Sequence, residues 1–265
     1  MSTVKSSDGT TIALDQTGDG PPVIIVGGGP TDRSVNTPLA ELLAPQVTVF
    51  NYDRRGHGAS GDTPPYAVER EYDDLQAVID AAGGSAFVFG SSGGGVIALE
   101  AAARGRAITK LALWEPPYVL DDETTRARPP ADYAAQLTEL ISADRRGDAV
   151  ELFSTEAAAI PAEFVAQMRQ APFWAATEAL AHTLVYDAAI MGDFSMPSDR
   201  LSAVPVPTLV IDGGTTPWLT HSAQAVADTV PNAQRATLAG QPHNVAPDAI
   251  APVLAEYFSG AGSSS

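Results

Sequence analysis

Cysteine is absent from all 265 residues, and only two of the 15 basic residues are lysines, Lys5 and Lys110. The first absence excludes disulfides, thiolate nucleophiles and cysteine-bound metals. The second leaves no basic cluster for a polyanion. Asp plus Glu number 32, so the formal net charge is −17. A surface that acidic repels phosphate backbones, anionic membranes and polyanionic substrates. No stretch approaches the ~18 apolar residues of a membrane-spanning helix. The opening Met1-Ser-Thr-Val-Lys-Ser-Ser-Asp8 also lacks the positive-then-apolar layout of a secretory signal. The expectation is a cytoplasmic protein, monomer or homodimer, acting on a small molecule with no nucleic-acid or membrane partner. Nothing in the sequence calls for a metal or a cofactor.

Against these absences stand 45% hydrophobic and 18% charged residues, enough apolar material for a sizeable core and too little charge for wholesale disorder. Short all-apolar runs read as buried parallel strands, whose alternation is lost because helices cover both faces. They are Pro22–Gly27, Val47–Tyr52, Ala86–Gly90, Ile108–Trp114 and Pro207–Asp212, with a further strand near Arg235–Leu238. Asp8-Gly9, between Val4–Ser6 and Thr11–Asp15, signals a hairpin turn. Helical patterns fill the intervals at Thr37–Ala44, Val68–Ala82, Gly94–Arg104, Ser222–Thr229 and Asp248–Phe258. Strand and helix alternate, so the fold class is α/β with a mostly parallel sheet. From about Tyr118 to Leu201 only helical pattern remains, at Asp132–Ala143, Asp148–Ala158, Ala162–Gln170 and Phe173–Asp187. A stretch that long is no ordinary loop. It reads as a helical cap, residues 118–201, inserted into a core made of 1–117 and 202–258, with 259–265 a flexible tail.

Gly90-Ser91-Ser92-Gly93-Gly94 is a Gly-x-Ser-x-Gly pattern between a strand and a helix. That context suits a nucleophile elbow, where small residues flank a serine held on a strained turn, and Ser92 holds the nucleophile position. Val26-Gly27-Gly28-Gly29-Pro30 follows an earlier strand. Its amides suit an oxyanion hole, made by Gly28 together with Gly93, Gly29 being the other choice and also a substrate contact. The spacing of a dinucleotide or phosphate-binding loop is missing there. Of the four histidines, His57, His182 and His221 read as structural or surface residues. His243, late in the chain within Gly240-Gln-Pro-His-Asn244, sits on a loop as a general base requires.

These motifs, with Tyr52-Asp-Arg-Arg-Gly-His-Gly-Ala-Ser60 between them, resemble the α/β-hydrolase superfamily over residues 4–258. The resemblance implies an eight-stranded sheet, a helical cap after the sixth strand and a Ser–acid–His triad without cofactor. The acid departs from the common pattern. Relatives carry an aspartate after the seventh strand, but here the segment reads Asp212-Gly-Gly-Thr-Thr-Pro217, with Thr216 in that place. Glu115, in Trp114-Glu-Pro-Pro117 at the end of an apolar run, is the favoured replacement, with Asp212 as the alternative. Its spacing from Ser92 resembles that of lactonases acting on zearalenone, which also have a cap tryptophan similar in position to Trp174. A serine nucleophile sets aside the dehalogenase and epoxide-hydrolase chemistries that use aspartate. Tyr118, Phe173, Trp174, Tyr186, Met191 and Trp218 are candidate linings of an apolar pocket between cap and sheet. The expected activity is hydrolysis of a carboxylic ester or lactone of a small neutral hydrophobic molecule. The alternative is a non-hydrolytic, ligand-binding or carbon–carbon-cleaving protein on the same fold.

Overall fold

The structure, a computed structural model, describes residues 1–121 and 126–260. Eight strands form one sheet: β1 (Ser2–Lys5), β2 (Thr11–Thr17), β3 (Pro22–Val26), β4 (Thr48–Tyr52), β5 (Ala86–Ser91), β6 (Ile108–Trp114), β7 (Thr208–Gly214) and β8 (Ala233–Gln241). Their spatial order is β1-β2-β4-β3-β5-β6-β7-β8. The hairpin β1–β2 and the β2–β4 pair are antiparallel, and every other neighbour is parallel. The central strands are largely apolar because helices bury both faces. Ile24, Val88, Leu111 and Val210 belong to the core on one side, and Val23, Ile25, Ala112 and Ile211 to the core on the other.

Helices α1 (Thr37–Leu43), α2 (Val68–Ala81) and α3 (Gly93–Ala103) follow β3, β4 and the elbow after β5. Between β6 and β7 lie α4 (Tyr133–Ser142), α5 (Arg146–Leu152), α6 (Ala162–Met168), α7 (Trp174–Ala179), α8 (Leu184–Met191) and α9 (Ser198–Leu201). α10 (Pro217–Thr229) and α11 (Pro247–Ser259) complete the chain, each with proline at its first position, where the missing N–H leaves no helical bond unmade. None of the described helices is long and apolar enough to cross a membrane.

The structure departs from the sequence expectations at several elements. β8 runs from Ala233 to Gln241, longer than its short apolar stretch suggests, because this half-exposed edge strand needs little apolar sequence. α10 begins at Pro217 rather than Ser222. The single helix expected over Phe173–Asp187 is broken, with α7, a 3-10 turn at Ala181–Thr183 and α8 in its place. The helical insertion has its own apolar cluster, including Tyr133, Leu137, Val150, Val165, Trp174 and Leu184. The segment 182–187 ties the insertion to the loop after β4: His182 Nε2 meets the Gly56 carbonyl at 3.0 Å, Tyr186 stacks on Tyr66, and Asp187 pairs with Arg54. The expected flexible tail falls mainly outside the described residues, and so does the part of the expected cap at 122–125.

Candidate active site

The carboxyl ends of the central parallel strands converge on one cavity of about 770 Å3, walled on its other side by the helical insertion. Ser92 stands there at φ 53, ψ −125, a left-handed turn that costs a non-glycine residue energy and persists only when its surroundings enforce it. The enforcement is visible. A Cβ on Gly90 would lie 2.6 Å from the Gly94 carbonyl oxygen, and one on Gly94 would lie 2.2 Å from that of Val26. Both positions of the pattern therefore demand glycine. The Ser92 N–H donates to the Trp114 carbonyl at 2.9 Å, which pins the turn to the end of β6.

The residue after Trp114 holds the second strained position. Glu115 has φ 42, and its N–H still pairs with the Ile211 carbonyl of β7 at 2.9 Å. The turn sends a fully buried carboxylate toward the loop after β8. There Glu115 Oε2 lies 2.7 Å from His243 Nδ1, while Oε1 accepts the Gly213 N–H at 2.9 Å. Trp114 fixes the histidine a second time, its indole Nε1–H donating to the His243 carbonyl at 2.7 Å. With Nδ1 committed to the carboxylate, Nε2 is the ring nitrogen available for proton transfer. His243 and Ser92 line the same cavity.

The glycine loop after β3 closes the near wall. A Cβ on Gly28 would lie 2.4 Å from the Ser91 carbonyl oxygen and 2.9 Å from Ser92 Cβ, so the loop approaches the elbow as closely as backbone allows. Thr31 sets its orientation. The Thr31 hydroxyl donates to the Gly28 carbonyl and the Thr31 N–H to the Gly29 carbonyl, each at 2.9 Å. In a trans peptide the N–H points opposite to the preceding carbonyl, so the Gly29 N–H is turned away from Thr31. Gly28, Gly29 and Gly93 all line the cavity.

Asp212 is built into a different network. Its carboxylate accepts from the Gly214 N–H, from the Thr220 and Thr237 hydroxyls and from Arg235 at 2.8–2.9 Å. It makes no hydrogen bond to His243. Thr216 lines the cavity, where it offers a hydroxyl and no charge.

A model of the alpha/beta hydrolase family matches residues 23–253. The chain belongs to that family. A crystal structure of an alpha/beta hydrolase from Sphaerobacter thermophilus is 57% identical, with 97% of this chain and 100% of that one covered and a TM-score of 0.93. A thermophilic esterase from Thermogutta terrifontis is 25% identical over 97% of both chains, with a TM-score of 0.73. Among curated relatives, a pimeloyl-[acyl-carrier protein] methyl ester esterase from Xanthomonas campestris is 37% identical over 101 residues. That match spans 38% of this chain and 38% of the esterase.

Seen as an alpha/beta hydrolase, the site gathers Ser92, Gly93, Gly28, Gly29, His243, Met191 and Trp218 on one cavity, with Glu115 behind the histidine. Tyr118 and Trp174 do not reach it, which corrects their expected role as linings. Tyr118 is 2% exposed and belongs to the apolar core that also holds Ile97 and Leu201. Trp174 lies inside the insertion's own cluster, its indole N–H donating to Glu178 at 2.8 Å. Phe173 and Tyr186 also miss the cavity: Phe173 is half exposed, and Tyr186 is held by Tyr66 and Asp62. Tyr133, Phe153 and Phe194 line it instead. Phe153 opens a π-helical turn, Phe153–Ala157, and Phe194 sits at φ 64, so local backbone irregularity rather than helical periodicity brings both rings inward.

Proposed function

We propose that this protein is a serine hydrolase that cleaves carboxylic esters or lactones of small hydrophobic molecules through an acyl-enzyme on Ser92. The observation that carries the proposal is the 2.7 Å contact between His243 Nδ1 and the buried Glu115, with Ser92 on the same cavity. Ser92 Oγ attacks the carbonyl carbon while His243 Nε2 takes its proton. Glu115 holds the imidazole in the tautomer that leaves Nε2 free to accept, and it stabilises the imidazolium that follows. The developing oxyanion is met by the Gly93 amide and the Gly28–Gly29 loop, whose central peptide Thr31 orients; one such donor is worth about 2.7–4 kcal/mol of transition-state stabilisation. His243 then returns the proton to the leaving alcohol, and water releases the acyl group by the reverse sequence. The helical insertion serves as the cap that shields the reacting bond and selects the substrate. Esterases among the relatives agree with this reading.

The test pairs p-nitrophenyl acetate hydrolysis with labelling by a fluorophosphonate probe, in wild type and in Ser92→Ala. A p-nitrophenolate burst and stoichiometric labelling are expected for wild type alone. An unlabelled wild type without a burst overturns the proposal.

A further inference from the structure

The chemistry above uses none of the charge buried on the opposite side of the cavity. Arg54, on the loop after β4, and Glu71, in α2, are both buried, and Asp187 in α8 is 7% exposed. The Arg54 guanidinium grips Glu71 with two donors, Nε at 3.2 Å and Nη2 at 2.8 Å, and gives Asp187 one, Nη1 to Oδ1 at 2.9 Å. Glu71 also accepts from the Tyr66 hydroxyl at 3.2 Å. Two carboxylates thus share one guanidinium. Glu71 is the well-satisfied member; Asp187 Oδ2, closed off from solvent, has no hydrogen-bond partner among the described residues.

Among the described residues, no second cation pairs with Asp187. Arg55 is taken up by Asp74 and Asp8. His57 is held below the ordinary imidazole range by burial and by Arg54, so it stays neutral at neutral pH. The charge acts on the cavity wall, where burial and Asp187 push the Tyr133 phenol upward against the opposing field of Arg126, whose guanidinium is bonded to the Ala157 and Glu156 carbonyls. Of the Arg54, Glu71 and Asp187 trio, only Asp187 lines the cavity, and no Lys or Arg lines it among the described residues. A buried acceptor left unpaired costs free energy that a ligand donor recovers when the Asp187 side chain turns it toward the cavity it borders, and a site with such a group discriminates against analogues lacking the donor.

We infer that Asp187 is a specificity determinant that recognises a hydrogen-bond-donating group, a hydroxyl or a protonated amine, carried by the substrate apart from its scissile carbonyl. The assignment rests on the serine-hydrolase reading and narrows it: the ester or lactone is polar at one point, and carboxylate-bearing substrates are rejected. The experiment uses methyl esters in a series of chain lengths, each ending in methyl, hydroxyl, ammonium or carboxylate, with wild type, Asp187→Leu and Asp187→Asn. At the best-fitting length, wild type is expected to favour a donor-ended ester over its methyl counterpart by at least about tenfold in kcat/KM. The carboxylate-ended ester should be the poorest. Asp187→Leu should erase the donor preference, and Asp187→Asn should erase the preference for ammonium over methyl. If Asp187→Leu does not fold, the wild-type ranking and the Asn variant decide. A wild type indifferent to the terminal group, or a preference that survives both substitutions, overturns the assignment. Fluorophosphonate labelling separates the two readings. A wild type that labels at Ser92 but ignores the terminal group refutes the role of Asp187 alone, whereas a wild type that does not label refutes the underlying proposal.

Discussion

Replacing Glu115 by glutamine changes a single heavy atom, an oxygen to a nitrogen, yet the local hydrogen bonds decide which way the amide must face. The Gly213 N–H donates to Oε1 at 2.9 Å, inside a fully buried site. A glutamine that turned its NH2 toward Gly213 would set two donors against each other and leave both unsatisfied. The carbonyl oxygen therefore stays on Gly213, and the NH2 faces His243 Nδ1. Nδ1 must then accept, which places the ring proton on Nε2. A protonated Nε2 cannot take the proton of Ser92. The same reversal in the serine-protease triad lowers kcat about 10⁴-fold, equivalent to about 5.5 kcal/mol at 1.36 kcal/mol per tenfold. We expect a loss of that order for Glu115→Gln, in kcat rather than in KM, because the carboxylate touches the base and not the substrate. Burst kinetics on p-nitrophenyl acetate measure it, with the thermal unfolding midpoint as a check that the variant is folded. A folded Glu115→Gln that retains activity within about tenfold of wild type refutes the tautomer argument and, with it, the assignment of Glu115 as the triad acid.

The other predictions use the same assays. Asp212→Asn should lower the unfolding midpoint, because it weakens the pair that the buried Asp212 makes with the more exposed Arg235, while kcat per folded molecule stays within a few-fold; a large kcat loss at unchanged stability would restore Asp212 as the acid. Trp114→Phe keeps the ring packed but removes the donor to the His243 carbonyl, and a loss of one neutral hydrogen bond predicts kcat lower by about tenfold at similar KM. Thermodynamic stability should fall as pH drops through and below about 6.5. Burial and Arg54 depress the His57 pKa in the native state, so the unfolded chain binds the extra proton first and acid favours unfolding. Urea titrations on either side of that pH should show a smaller change in His57→Gln than in wild type.

The sheet and the elbow were legible because their physics is local. An all-apolar strand followed by Gly90-Ser-Ser-Gly-Gly94 has few conformations open to it, and the clashes a Cβ would meet at Gly90 and Gly94 show why. Glu115 was legible for a related reason: a charge ending an apolar strand before two prolines has to leave the sheet. The pocket was not legible. Helical periodicity in the insertion marks faces that pack somewhere, but it does not say whether they meet the insertion's own cluster or the cavity. Trp174 went to the former, and Phe153 and Phe194 reached the latter through a π-helical turn and a left-handed residue that no periodicity encodes.

Asp187 left a trace that aromatic patterning obscured. Leu184-Val-Tyr-Asp-Ala-Ala-Ile-Met191 is an apolar helix with a single charge, and a lone carboxylate in such a helix must be paired, exposed or functional. Its pairing is incomplete, because Arg54 is already bound twice to Glu71. The same reasoning separates Glu115 from Asp212, two carboxylates that are both fully buried. Asp212 is held by Arg235, two hydroxyls and a backbone amide, so its charge is spent on holding β7, β8 and α10 together. Glu115 has one backbone amide and one imidazole, which leaves its charge to act on a group that can gain and lose a proton. What distinguishes the proposed catalytic carboxylate from Asp212 is therefore the identity of its partners, since burial is the same for both.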